Sequence, residues 1–282
     1  MEGEVKTSKV RTVIAYILLI FLSFLCLFFF YILIINSTRS HAQIMQGFSF
    51  IPGKAFWPNL KHVLQDANIP VMSGIRNSLI VSSCSAILAT YFSALTAYGL
   101  YAYNFKFKKP AFIFIMLILV MPTQVSALGF YRLMDGWHLL NTLWPLFLPS
   151  IAAPAVFYFM YSYMQSSLPM ELVEAARIDG CNEFKIFNRI VIPIMKPAMA
   201  VQAIFAFVTA WNNFFIPALI ISDNSKKTLP ILIAALRSAD FLKFDLGKVY
   251  MLILIAIVPI IIVYIMLSRY IVAGVALGGV KE

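Results

Sequence analysis

The chain has 282 residues, 61% of them hydrophobic and only 12% charged, with a formal net charge of +10 and a mean hydropathy of +0.86. Soluble domains are nearer half apolar and a quarter charged, so an ordinary soluble fold is excluded. The basic excess does not indicate nucleic acid either, because the 22 Lys and Arg residues are spread over loops with no basic domain to carry them.

Charge-free intervals long enough to cross a bilayer as a helix of roughly 20 residues set the elements in chain order. They predict helices over 13–35, 74–103, 111–133, 142–165, 197–220 and 249–268, an all-α membrane protein with six transmembrane helices. The first follows Lys6, Lys9 and Arg11, and Ser40-His41-Ala42 mimics a signal-peptide cleavage site. The apolar core of a signal peptide is about 7–15 residues, and Val13 to Ile35 is longer, so this segment reads as a mature span. The connection 36–73 carries Phe48, Phe50, Phe56 and Trp57 with Pro52 and Pro58, which suggests a segment lying on the membrane surface or against the bundle. After the second helix, Lys106, Lys108 and Lys109 fill a short turn beside Pro110. Short basic loops face the cytoplasm, which puts both termini there, although the overall Lys and Arg bias is weak. Pro122, Pro145, Pro149, Pro154, Pro217 and Pro259 fall inside spans, as kinks around a pathway or as ordinary bundle bends.

None of the six predicted helices contains Asp, Glu or Lys, and Arg132 sits at a helix end. Ion-coupled carriers generally need ionisable or ion-coordinating groups at membrane depth, so the pattern argues against one. Gly247-Lys248 lacks the remainder of a phosphate-cradling loop. No internal repeat is evident, His41, His62 and His138 are scattered, and Cys26, Cys84 and Cys181 form no metal or disulfide spacing. A transporter without an ion site or a nucleotide site has to take its energy from a partner.

The place to grip that partner is the cytoplasmic stretch 167–196, which reads as two short helices. Ser167 and Pro169 are helix-start residues and Glu171 suits a positive N-terminus. Gly180 supplies a left-handed stop. Asn182 is placed to cap a second helix with Phe184, Phe187 and Val191 on one face, ended by Pro193. Ala175 and Ala176 leave the surface low, so another protein can approach closely.

Glu174-Ala175-Ala176, Gly180 six residues after the Glu, then Ile190 and Pro193, resemble the EAA loop of ABC-importer permeases. Cys181 and Ile192 depart mildly from the usual Ala and Leu. The resemblance covers most of the chain and points to the carbohydrate-uptake class, especially its second permease, like the smaller maltose-transporter permease. Asn77-Ser78, Leu139-Leu140-Asn141-Thr142, Trp211-Asn212-Asn213-Phe214, Thr228-Leu229-Pro230 and the stretch Gly274 to Lys281 resemble its further motifs. Trp137-His138 replaces the usual Gly nearby, and the long exterior loop matches least.

The resemblance implies a single type I permease domain over 1–282, a cytoplasmic EAA coupling loop over 167–196 and a cytoplasmic tail over 270–282. Glu174, Ala175, Ala176, Arg177, Asp179, Gly180 and Phe184 would contact the ATPase, although Arg177 and Asp179 equally suit a contact with each other. Gly278 and Lys281 would reach the ATPase from the tail. Gln124, Trp211, Asn212 and Asn213 are polar or aromatic groups in or near spans that suit a sugar path, with interhelical hydrogen bonding the plainer alternative. The implied partners are a second homologous permease, two ATPase subunits that bind ATP and Mg, an extracytoplasmic solute-binding protein and the lipid bilayer. No cofactor is expected in this chain, no catalytic or metal residue, and no nucleic acid. The implied location is a bacterial cytoplasmic membrane, with the chain multi-pass. The competing readings are a permease for another solute, such as glycerol phosphate or a peptide, an ion-coupled carrier, and an integral-membrane enzyme, which would need clustered His, Asp or Glu near a membrane face.

Overall fold

The computed structural model describes residues 9–66, 68–237 and 245–278. Among the described residues there are helices and turns but no strand, as the apolar blocks require. Among the described residues five helices are long and apolar enough to cross a membrane, and a bent pair makes a sixth when counted as one span. Contacts divide the chain into two compact units, Met1–Asp66 with Leu236–Ile255 and Ala67–Ala235 with Ala256–Glu282.

In the first unit α1 (Lys9–Ser37) is apolar all round, and none of its most apolar stretch is buried within the chain. Its surface therefore has to meet lipid or another protein. After it come α2 (His41–Met45), closed by a Ser40–Gln43 capping box, and α3 (Phe56–Leu64). Buried Asn59 ties the connection to the end of α1, its Nδ2 donating to the carbonyls of Ser37 and Arg39 at 2.9 Å each. Buried Arg39 donates to Asn36 Oδ1 at 3.2 Å, to the Gly47 carbonyl at 3.0 Å and to the Gln43 carbonyl. Phe48 and Phe50 pack edge to face at 4.6 Å and both lie against Phe28 of α1, whereas Trp57 is 73% exposed.

The second unit is organised around α4 (Val71–Ala102). Its buried face is built from small side chains, among them Ala86, Ala89, Ser93, Ala94 and Ala97, which allow close helix approach where the hydrophobic effect offers little between spans. The third predicted helix breaks into α5 (Lys108–Val120) and α6 (Thr123–Gly136), bent by 102°. Pro122 explains the break: it lacks an N–H and drives Met121 into an extended conformation, φ −71° and ψ 125°. The fourth span starts with α7 (Trp144–Phe147), passes through a 3-10 turn at Leu148–Ile151 and continues as α8 (Pro154–Ser167). Pro149 and Pro154 make these interruptions.

Next come α9 (Met170–Ile178) and α10 (Glu183–Ile186). A π-helical turn, Phe187–Val191, leads directly into α11 (Ile192–Trp211). Pro193 was expected to end a loop helix, and here it stands in the first turn of α11 instead, where its missing N–H is tolerated next to the π turn. The fifth span accordingly starts at Glu183 and ends at Trp211, with the remainder of the predicted segment forming the short α12 (Phe215–Ile220). The final helices are α13 (Leu229–Arg237) and α14 (Leu246–Gly278), which continues through Pro259. α4 packs mainly on α8 and α11.

Candidate functional site

The loop between α8 and α11 is a rigid hook. Leu168 and Pro169 open α9, and Glu171 lies in its first turn, where a carboxylate favours the positive helix end. Gly180 has φ +77° and no atom within 4 Å of where a Cβ would stand, so glycine serves the backbone conformation and not a close approach. The Gly180 N–H donates to the Arg177 carbonyl and the Cys181 N–H to the Ala176 carbonyl, both at 3.0 Å, the pattern of a Schellman stop. Asn182 then caps α10, its Oδ1 accepting from the Lys185 N–H at 2.9 Å.

Packing divides the loop residues into two faces. Val173 and Ala176 are buried with Ile186, Phe187 and Val191 in a core shared with Tyr98, Met164 and Leu168. Glu174, Ala175, Asp179 and Gly180 are exposed, and so are Leu172, Ile178 at 87% and Phe184 at 70%. Two expectations change here. Ala176 turns inward, so only Ala175 leaves a low outer surface. Phe184 does not share the buried face of Phe187 and Val191, because that face is centred on Ile186, two residues further on. Ile178 and Leu172 went unnoticed in the sequence, since an apolar residue in a short amphipathic helix reads as core until the buried side is known.

Arg177 does not pair with Asp179. Its Nε lies 2.7 Å from Glu183 Oε1, and its guanidinium sits 5.0 Å over the Tyr103 ring. The hydrogen bond to Glu183 raises the Arg177 pKa above its ordinary value. The second Glu183 oxygen accepts from Tyr98 Oη at 2.7 Å. Tyr101 Oη donates to the Leu168 carbonyl at 3.3 Å, and Tyr91 Oη to Asn188 Oδ1 at 3.4 Å. Tyrosines of α4 therefore hold the hook at its start, at its middle and at the π turn. Glu183 and Tyr98 were missed because their contact with Arg177 forms only when the Gly180 turn and the last turns of α4 come together.

At the far end of α4 a neutral cluster joins the other motif residues. Asn77 Nδ2 donates to the carbonyls of Ser225 and Lys227 at 2.9 and 3.1 Å, and Ser78 Oγ accepts the Leu229 N–H at 2.9 Å. Asn141 has φ +56°, and its Oδ1 accepts from the Ser222 N–H at 2.7 Å, the Ser222 hydroxyl at 2.9 Å and the Asp223 N–H at 3.0 Å. Three of the sequence motifs thus meet around the segment 220–230.

The path candidates are on separate elements. Trp211 is 2% exposed; its indole N–H donates to the Ala256 carbonyl at 3.1 Å and its ring stacks on Phe207 at 5.6 Å. Asn212 is exposed and Asn213 half-buried just beyond α11, and Gln124 is exposed in the first turn of α6. Gly278 is the last residue of α14, and Lys281 lies outside the described residues.

A family model described as a binding-protein-dependent transport system inner membrane component matches residues 86–275. An arabinooligosaccharides transport system permease protein, AraQ, of Halalkalibacterium halodurans is 33% identical, covering 98% of this chain and 99% of its own. The protein of the same name in Bacillus subtilis is 31% identical over 92% of each chain. A melibiose/raffinose/stachyose import permease, MelC, of Bacillus subtilis is 30% identical over 89% of this chain and 90% of its own. The fold is shared with a crystal structure of a bacterial ABC transporter involved in import of the acidic polysaccharide alginate, with a TM-score of 0.80 at 20% identity, covering 96% of this chain and 100% of that one. The chain belongs to the family of inner-membrane components of binding-protein-dependent transport systems, and is a multi-pass permease of an ABC importer.

Proposed function

We propose that this permease carries a neutral di- or oligosaccharide, and that its loop 167–196 is the seat of the ATPase that drives it. Relatives of nearly full length are permeases for arabinooligosaccharides and for melibiose, raffinose and stachyose, which supports a sugar substrate. The single observation that carries the coupling role is the hook itself. Glu174, Ala175, Ile178 and Phe184 stand on its exposed side, while Val173, Ala176 and Phe187 are sunk in the core beside Tyr98. Exposed apolar side chains beside carboxylates, on the connection that leads into the fifth span at Glu183, are suited to a protein partner.

The complete importer pairs this chain with a second homologous permease, two ATPase subunits that bind ATP and Mg, and an extracytoplasmic solute-binding protein. It works in a bacterial cytoplasmic membrane, with both termini, the hook and the tail 270–282 on the cytoplasmic side. When ATP draws the ATPase subunits together, the hook is pushed; α10 and the π turn run without a break into α11, so the push reaches the fifth span directly. α4 follows through Tyr98 and Glu183. The cavity then turns outward, and hydrolysis returns it inward, as alternating access requires. Gln124, Asn212 and Asn213 are our candidates for sugar hydroxyls, with Trp211 orienting the end of α11, and Gly278 and Lys281 for the tail contact.

The test is uptake into proteoliposomes holding the chain, its partner permease and the ATPase, supplied with binding protein and a labelled arabino-oligosaccharide. Uptake is expected only with ATP on the ATPase side and is expected to be indifferent to an uncoupler. Uptake abolished by the uncoupler at constant ATP would overturn the reading in favour of an ion-coupled carrier.

A further inference from the structure

The start of α5 and the end of α8 enclose an open cleft of about 750 Å³ that the coupling hook does not use. Its lining is sorted by polarity along both helices. At the mouth stand Asn104, Lys108, Lys109 and Gln165, and among the described residues no Asp or Glu lines the cleft. Deeper along the same helices the walls are Phe112, Ile113, Tyr158 and Tyr161, with Ser162 between them and Gln165. Phe112 and Tyr161 are in ring contact at 5.2 Å, which fixes this apolar floor. Ile113 and Tyr158 remain 56% and 50% exposed. Lys108 is held at the rim, its Nζ 3.3 Å from the Tyr101 carbonyl and 3.5 Å from Asn104 Oδ1, and Lys109 is exposed beside it.

We propose that this cleft seats an anionic glycerophospholipid of the cytoplasmic leaflet, with its phosphate at Lys108 and Lys109 and an acyl chain along Phe112, Ile113 and Tyr158. The site rests on the membrane orientation proposed above, which puts the turn 104–109 at the cytoplasmic surface. Two lysines with no acid among the lining residues favour a negative headgroup, and juxtamembrane basic residues are attracted to anionic leaflets. A free phosphate ion gains nothing from the aromatic floor, whereas a lipid fills both halves of the cleft. A partner protein is the poorer occupant, because the cores of protein interfaces are depleted in lysine. α8 ends at Ser167 and α9 starts at Met170, so a lipid wedged against α8 sits directly before the coupling hook and ties transport to leaflet charge.

Native mass spectrometry of the purified importer complex, equilibrated with equal phosphatidylglycerol and phosphatidylcholine, reads the site. Preferential retention of phosphatidylglycerol is expected. At about fivefold per basic side chain near the surface, Lys109→Gln lowers the preference about fivefold and Lys108→Gln/Lys109→Gln about 25-fold. Lys54→Gln/Lys61→Gln removes the same charge elsewhere and leaves the preference unchanged. Equal retention of both lipids, or a preference unmoved by Lys109→Gln, overturns the proposal. Displacement of the lipid by millimolar inorganic phosphate also overturns it, since the cleft is then a free-anion site. A complex that imports sugar with ATP but shows no lipid preference removes the lipid site and leaves the transport reading standing; one that retains phosphatidylglycerol but imports nothing does the reverse.

Discussion

The two ends of α4 are fastened by different chemistry. At its N-terminal end the buried Asn77 and Ser78 bond to main-chain groups of residues 225–229, and every partner is neutral. At its C-terminal end Tyr98 and Tyr103 meet the charges of Glu183 and Arg177, whose side chains remain 42% and 31% exposed. Buried bonds to the main chain fix a geometry and are costly to leave unmade. A half-exposed ion pair is weaker, is screened by salt, and can be broken and remade. The first end is therefore a clamp and the second a joint, which is the division a lever needs for the force entry at the hook that we propose.

The contrast can be broken by mutation. The largest loss of stability is expected for Asn77→Ala, which removes two part-buried bonds to carbonyls, at about 2 kcal/mol in unfolding of the purified chain; this loss should be the same at low and high salt. Gly74→Ala comes next. A Cβ there would lie 2.5 Å from Leu232 Cδ1, the flexible tip of a side chain, so overpacking is expected to cost about 1–2 kcal/mol. Glu183→Gln should cost no more than about 1 kcal/mol after screening, with the loss shrinking as salt rises and uptake falling further than stability. Equal salt dependence for Asn77→Ala and Glu183→Gln would remove the distinction between clamp and joint. Smallest in stability is Phe184→Ala, within about 0.5 kcal/mol because the ring is exposed, yet ATPase retention on the solubilised complex should drop.

Much of this was legible in the sequence where the governing chemistry is local. Charge-free apolar blocks located the spans but not their bounds, since the fifth starts at Glu183 and ends at Trp211. Gly180 and Asn182 gave the turn and the cap, because each acts on backbone within a few residues. Pro122 and Pro193 show the opposite case. Both are prolines near helices, but one bends the chain by 102° and the other is absorbed in a helix start. Neighbouring packing decides between these outcomes, and sequence spacing does not encode it. The Arg177–Glu183–Tyr98 contact was out of reach for a related reason: it needs the Gly180 turn and the last turns of α4 in place together. Asn141 was visible as part of a motif, but its left-handed backbone and three accepted hydrogen bonds appear only when residues 222 and 223 come back to it.

Energy entry through the exposed face of the hook is tested most directly by co-purification. The native chain and Glu174→Lys would each be isolated in mild detergent with the partner permease, and the bound ATPase measured. The native complex is predicted to retain ATPase, and Glu174→Lys to lose it while remaining in the membrane with its partner permease. A well-folded native complex that retains no ATPase, or a Glu174→Lys complex that retains as much as the native one, would contradict the assignment of loop 167–196 as the coupling element.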